Sequence, residues 1–218
     1  MIFKEIDKKL THEFILTKHY AQRLPAISWA FGCYINNKLE GVITIGKPAS
    51  NHLCKGVCGE EYSSKVFELN RICMNEGLPK NTLSQFVSYA LKTLKQHNLI
   101  LISYADTGMT HVGYIYQATN WLYTGQTKSR TDMYVPRGKH SRHCGKKEDN
   151  PYKHLRVVRT SKHRYIYFCG DKTHIKKYKR ALKYPILPYP KSETQRYELG
   201  TKQPRKIINT DTNEVYYD

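Results

Sequence analysis

Residues 66–106 read VFELNRICMNEGLPKNTLSQFVSYALKTLKQHNLILISYAD, and the order strand, loop, helix, strand within this stretch decides the fold. Val66–Met74 reads as a long strand. Leu83, Phe86, Val87, Ala90, Leu91 and Leu94 then recur at i, i+3, i+4 and i+7, the spacing of a helix with one apolar face, starting from a cap at Asn81 or Thr82 with Ser84 in its first turn. Leu99 to Ile102 is an unbroken apolar run, as expected of a strand covered on both faces, and it delivers Asp106 just past its carboxyl end.

Upstream, Thr11 is in position to cap a helix running to about Leu24, with Phe14, Ile15, Tyr20 and Leu24 at helical spacing before Pro25 stops it. Residues 27–35 and 39–45 form an aromatic and β-branched hairpin pattern turned by Asn36-Asn37, and 46–64 reads as loop. Downstream, a short helix over 112–119 leads to strands at 121–124 and 132–135. This order describes an α/β (α+β) chain, a mixed central β-sheet flanked by helices, over residues 1–136. A small basic extension follows over 137–190, with a strand at 164–169, a turn at Gly170-Asp171 and a basic helix from about Thr173 to Tyr184; residues 191–218 read as a loosely held polar tail.

Charge is distributed unevenly. Residues 1–127 hold 13 Lys+Arg against 9 Asp+Glu, whereas residues 128–218 hold 23 against 9, so +14 of the net +18 lies in the second part. Such asymmetry points to a polyanionic partner, because each cation that neutralises a phosphate releases condensed counterions; the alternative is a solvated basic surface. Lys139, Arg142, Lys146, Lys147, Arg164, Lys176, Lys177 and Arg180 are the candidate nucleic-acid contacts, interleaved with tyrosines suited to stacking. No run of 18 uncharged apolar residues occurs and the first residues lack the layout of a secretion signal, so a cytoplasmic protein with no membrane segment is expected. The six scattered cysteines then read as free thiols. His52, Cys54 and Cys58 make only half of a zinc pattern, and His140, His143 and Cys144 sit in a run basic enough to face phosphate.

The residues able to do chemistry lie beside strand ends and helix starts. Gly77 to Thr82, including Lys80, Asn81 and Thr82, precedes a helix whose free amides and dipole suit an anion; it is equally readable as a plain connection. Arg71, on the strand feeding this loop, carries a fork that pairs phosphate or carboxylate, or else faces solvent. Asp106 stands where open sheets carry catalytic groups, or caps the next helix. Tyr114 and Tyr116, two apart, face different sides of that helix near His111, and His19 lies opposite the apolar stripe of the first helix.

Glu68-Leu69-Asn70-Arg71, Leu78 to Thr82 with Ser84, Ser103-Tyr104-Ala105-Asp106 and the run from His111 to Trp121 ending in Tyr123-Thr124-Gly125 together resemble the Mom proteins of bacteriophages. The resemblance covers at least residues 39–134. It implies a GNAT-like fold and conversion of adenine in double-stranded DNA to an N6-methylcarbamoyl (acetamido) form that resists restriction. It implies acetyl-CoA or a related acyl-CoA, with Arg71 cofactor-associated, and places His19, Ser84, Asp106 and Tyr116 at functional positions. An iron dependence is also implied, with His19 and Asp106 as ligands. The loop at 75–82 departs from the glycine-rich pyrophosphate signature of GNAT enzymes, carrying proline and lysine instead.

On this reading adenine N6, a weak nucleophile within a stacked pair, is extruded and deprotonated. Asp106 is the candidate base, Tyr116 its hydrogen-bonding or acid partner, and Ser84 orients substrate or stabilises developing negative charge. An acyltransferase acting on a small amine or protein, or a non-catalytic DNA-binding protein, are the rival classes.

Overall fold

The computed structural model describes residues 1–137, 150–192, 199–202 and 204–218. In chain order its elements are β1 (Ile2–Glu5), β2 (Trp29–Ile35), β3 (Lys38–Gly46), α1 (Asn51–Cys58), β4 (Val66–Met74), α2 (Thr82–Leu94), β5 (Leu99–Asp106), α3 (Tyr114–Ala118), β6 (Leu122–Gln126), β7 (Arg130–Met133), β8 (Leu155–Arg159), β9 (Lys162–Cys169), α4 (Lys172–Ala181), β10 (Lys206–Asn209) and β11 (Val215–Tyr217). Seven strands form one sheet in the order β1-β2-β3-β4-β5-β9-β6, and four form a second, β11-β10-β8-β7. In the large sheet only β4 and β5 run parallel, joined through α2, which makes it the expected mixed sheet flanked by helices.

β5 explains why the sheet is covered on both sides. Its Leu99, Leu101 and Ala105 enter a core with Phe86, Val87, Ala90, Leu91 and Leu94 of α2, while Ile100 and Ile102 enter a second core with Cys54, Val57 and Cys58 of α1 and Tyr178 of α4. A side chain of this size contributes about 1.5–3 kcal/mol on burial, so a strand feeding two cores is anchored far better than its neighbours. The β2–β3 turn is the expected one: Asn36 and Asn37 both take left-handed conformations (φ 48° and 61°), matching the twist of a tight hairpin.

Five expectations change. The helix expected from Thr11 to Leu24 is replaced by a 3-10 turn at Lys8–Thr11 and a wide turn at Phe14–Lys18 closed by His19 N–H on the Phe14 carbonyl (2.9 Å). Phe14 and Ile15 do bury, but His19 turns extended and inward, and Leu24 stays 38% exposed. The loop expected over 46–64 contains α1, capped by Ser50, whose hydroxyl accepts the Leu53 amide at 3.3 Å. Its buried face is Cys54, Val57 and Cys58, a stripe of thiols and one valine too sparse to show apolar periodicity.

Beyond residue 136, the strand assigned to a separate extension is β9. It lies inside the main sheet, pairing with β5 along all eight residues from Leu99↔Cys169 to Asp106↔Lys162, and α4 covers that sheet. The strand expected at 132–135 to close the main sheet is β7 of the second sheet. The tail supplies β10 and β11 to the same sheet, with Ile207 buried opposite Val157 and Arg205 gripping Asp218. Its apolar content is small because one face of a two-residue-period strand suffices once a partner strand exists. Among the described residues Cys33, Cys54, Cys58, Cys73 and Cys169 are buried free thiols; burial pushes Cys58 and Cys169 up to about 12 and Cys73 to about 11, which keeps them neutral. No helix among the described residues is long and apolar enough to cross a membrane.

Candidate active site

β4 and β5 pair only over Val66–Glu68 with Ile100–Ile102, although β4 continues to Met74 and β5 to Asp106. Beyond Glu68 the two strands part. A bulge bends β4 there: Leu69 faces Ile45 and Arg71 faces Thr44, leaving Asn70 as the extra residue. The Asn70 side chain is held by Thr44 Oγ1 (2.6 Å) and by the Ala26 carbonyl (2.8 Å). At the crotch, Ser103 Oγ lies 2.7 Å from the Leu69 carbonyl oxygen and 2.7 Å from the Tyr116 hydroxyl. Serine has one hydroxyl hydrogen and the carbonyl only accepts, so with Ser103 donating to Leu69 the tyrosine donates to Ser103.

The bulge also decides which side chains meet. Phe67 and Leu69 point toward α2 and Val66 toward α1, so alternation puts Glu68 on the α1 side. Uninterrupted, Arg71 would join Leu69. The extra residue reverses the phase, Ile72 returns to the α2 core, and Arg71 stays on the face of Glu68. Along β5 the same face carries Ile100, Ile102, Tyr104 and Asp106, and β9 sets Lys162 opposite Asp106 and Arg164 opposite Tyr104. Arg71 and Asp106 therefore share one face of the sheet.

Asp106 is 2% exposed and fully engaged. Its carboxylate accepts the Thr160 hydroxyl (2.6 Å), the Gly108 amide (2.9 Å) and the Lys162 ammonium (3.0 Å). Burial alone pushes it up, but the Lys162 charge and the bonds from Thr160, Lys162 and Gly108 outweigh that and hold the carboxyl below its usual range. His19 is driven the other way from charge: burial, then Arg71, His111 and Lys162, lower it to about 3, leaving a neutral ring. Its Nδ1 accepts the Ala21 amide (3.0 Å), which assigns the proton to Nε2, and the ring stacks on Tyr20 at 4.4 Å. Tyr20 in turn meets His111 edge-on at 6.1 Å. Glu68 is raised by burial against the opposing pull of Arg71, Lys162 and Arg23.

The other expected residues divide into two groups. Tyr116 is buried on the α2 side, and burial pushes its hydroxyl up to about 12. Arg71 donates to the carbonyls of Asn70 (2.6 Å) and Arg23 (3.1 Å), tying the 19–28 segment to β4. Ser84 Oγ donates to the Asn81 carbonyl (3.0 Å) and the buried Thr82 hydroxyl to Pro79 (2.7 Å), while Lys80 and Asn81 are exposed before α2. Arg164 is consumed internally, donating to Thr124 Oγ1 (2.9 Å) and its carbonyl (2.7 Å) with its guanidinium 3.5 Å over the Tyr184 ring. Lys176, Lys177 and Arg180 are exposed on α4, where Lys172, Lys176, Lys179 and Arg180 line a shallow groove with Ile175. Lys139, Arg142, Lys146 and Lys147 lie outside the described residues, as do His140, His143 and Cys144.

The iron expectation is not supported. Among the described residues no three His, Cys, Asp or Glu side chains gather as a metal site, and the Asp106 oxygens are already occupied by three donors, so His19 and Asp106 do not fit as a ligand pair. Thr160 and Lys162 were not expected at the site: they reach Asp106 from 54 and more positions away, with no local motif. The acidic residue of the Glu68 to Arg71 motif was visible, but its alignment with Arg71 required the bulge.

Comparison with known proteins gives three results. The chain is 30% identical over 127 residues to the Methylcarbamoylase mom of Escherichia phage Mu, an alignment spanning 55% of this chain and 52% of that protein, so it spans about half the length of the relative it matches. Among solved structures, an N-acetyltransferase from Staphylococcus aureus Mu50 aligns over 77% of this chain and 97% of its own at 12% identity, with a TM-score of 0.44. The IAA acetyltransferase from Bacillus cereus aligns over 77% and 98% at 13% identity, also with a TM-score of 0.44. The model of the Mom protein family matches residues 1–191, which include every element of the large sheet and the whole divergence of β4 from β5, and the chain belongs to that family.

Proposed function

We propose that this protein transfers an acyl-derived group, methylcarbamoyl (acetamido), from an acyl-CoA-derived donor to N6 of adenine in double-stranded DNA, protecting phage DNA from restriction. The observation that carries this reading is the opening between β4 and β5, lined by ionisable residues and lying within the span matched to the family. A strand edge without a ladder partner offers backbone groups to an extended thioester tail, and the first turn of α2, beside Lys80, offers amides to its phosphates. The acyl-CoA supplies an activated carbon. The target base is extruded from the duplex at a cost of a few kcal/mol.

In this reading each group has a distinct task. His19, neutral with its proton on Nε2, donates toward developing negative charge; Ser84 orients the donor from the helix start; Tyr116, neutral and linked to Ser103, is the acid partner. Arg71 holds the segment that carries His19 against β4. Asp106, saturated with donors, keeps the β5–β9 corner ionised and in register rather than accepting a proton.

The test is co-expression with a plasmid followed by mass spectrometry of its nucleosides. A modified adenosine with the carbamoylmethyl mass increment is expected; unmodified nucleosides from a soluble, folded chain would overturn the reading.

The exposed cations of α4 hold the duplex. Tyr178 of α4 donates to the Asn98 carbonyl just before β5, whose other end carries Asp106 about 25 Å away along the strand at roughly 3.3 Å per residue. Charge reversal at Lys176, Lys177 and Arg180 together is expected to weaken duplex binding for every sequence. The slope of log K against log salt should flatten by about 0.9 for each phosphate that is no longer neutralised. Titrations at several salt concentrations check this, and an unchanged slope would remove α4 from the DNA-binding surface.

A further inference from the structure

We propose that Glu68 is the residue that accepts the proton shed by the attacking nitrogen, an inference that rests on the DNA-modification reading above. Its position singles it out. Glu68 is the last residue of β4 paired with β5, so its side chain stands at the apex of the opening. The bulge at Asn70 brings Arg71 onto the same face, which Asp106 and Lys162 share.

The two carboxylates of this face differ in what they have left to give. Asp106 accepts three hydrogen bonds and has a lysine at 3.0 Å. The Glu68 carboxylate makes no hydrogen bond and no ion pair within 4 Å among the described residues. It is half-buried, and both oxygens retain access to solvent or to a ligand, since neither is among the sealed atoms without a partner. A base must present a free lone pair to the proton it removes, and of the two acids only Glu68 does so.

The groups around it come from every packed element: Arg71 from β4 itself, Lys162 from β9, Arg23 from the N-terminal segment, Tyr104 from β5, Tyr116 from α3 and Cys54 from α1. Burial raises the Glu68 carboxyl against the pull of Arg71, Lys162 and Arg23, which makes it more basic than an exposed glutamate. Tyr104 and Tyr116 are both neutral, so neither competes for the proton.

The step balances simply. The nitrogen forms its bond to the activated carbon as the leaving group departs with its electron pair. The N–H bond breaks, its electrons stay on nitrogen, and the proton goes to a Glu68 oxygen. The positive charge that would otherwise build on nitrogen never accumulates.

A structural role predicts something different, because a carboxylate kept only to balance Arg71 would matter for folding and not for turnover. The experiment compares the unaltered chain, Glu68→Gln and Glu68→Asp, each co-expressed with a plasmid, by the ratio of modified to unmodified adenosine, alongside thermal melting and duplex affinity of the purified full chains. Glu68→Gln is expected to lower modification by about 100-fold or more, with duplex affinity held within about threefold. Glu68→Asp keeps the charge, and hence the balance of the cluster, but withdraws the carboxylate by one methylene; a loss of about tenfold or more at unchanged affinity is expected. Modification within about fivefold of the parent in Glu68→Gln, or full activity in Glu68→Asp, would overturn the assignment. If Glu68→Gln does not fold, Glu68→Asp decides. Failure of the unaltered chain to modify DNA would overturn the DNA reading and this inference with it, and is distinguished by that first arm.

Discussion

Gly113→Ala is expected to destabilise the protein by about 3 kcal/mol and to abolish modification. Gly113 begins the turn into α3 with φ +82°, a left-handed conformation that costs a residue with a Cβ about 1–2 kcal/mol. Space is the larger obstacle. A Cβ there would sit 2.3 Å from Cε2 and 2.8 Å from Cζ of Tyr165, a ring with no exposed surface in the middle of β9. That ring cannot yield, because its hydroxyl bonds the Val112 carbonyl and Gln117 Nε2 (3.1 Å), so overpacking adds about 1–3 kcal/mol. The strain is relieved only by lifting α3, whose Tyr116 amide bonds the Gly113 carbonyl (2.9 Å), and the Tyr116 hydroxyl then leaves Ser103. Thermal melting checks this, with a fall of roughly 10 °C expected from 2–4 °C per kcal/mol for a chain of this size. Gly77→Ala is the control: its φ is +72° but no atom lies within 4 Å of the added Cβ, so only the conformational cost of about 1 kcal/mol applies. Equal melting of the two variants would refute the steric account.

Asp106→Asn is expected to cost about 2 kcal/mol at neutral pH and to lose activity while duplex affinity stays within about threefold. The amide keeps the shape but turns one acceptor into a donor facing Thr160, Gly108 and Lys162, all of which donate, and it removes the counter-charge of Lys162. Removing one partner of a fully buried pair costs about 3–5 kcal/mol; Lys162 is 39% exposed here, so water recovers part of it. The pH dependence has a definite sign. The folded Asp106 carboxyl is held below its ordinary value, so its contribution is complete above about pH 4, the unfolded pKa, and fades as the pH falls through the lower folded value. Urea unfolding of parent and variant should therefore differ at pH 7 and converge in acid. A difference that grows on acidification would show that Asp106 is not held as an anion by this set of donors.

The elements legible in the chain were those whose evidence is local. α2 announced itself by a stripe from Leu83 to Leu94, β5 by an apolar run needing two covers, and the first hairpin by paired asparagines, and all three stand where expected. α1 was hidden because its buried face is two cysteines and a valine around Gly56. The segment after Thr11 carries helical spacing, yet burying His19 beside Arg71 bends it out of the helix.

The amino-acid sequence by itself determined the mixed sheet, the strand-loop-helix-strand unit at its centre and the polar residues that flank it, because periods of two and 3.6 residues are written into neighbouring side chains. Tertiary structure alone decided that β9 enters between β5 and β6, that the tail completes a second sheet, that an extra residue at Asn70 turns Arg71 onto the face of Glu68, and that Lys162 and Thr160 saturate Asp106 while Glu68 stays open. Each of these depends on a backbone hydrogen-bonding partner or a charge brought from far along the chain, and no local spacing records which distant strand will satisfy an edge or how a bulge will rephase it.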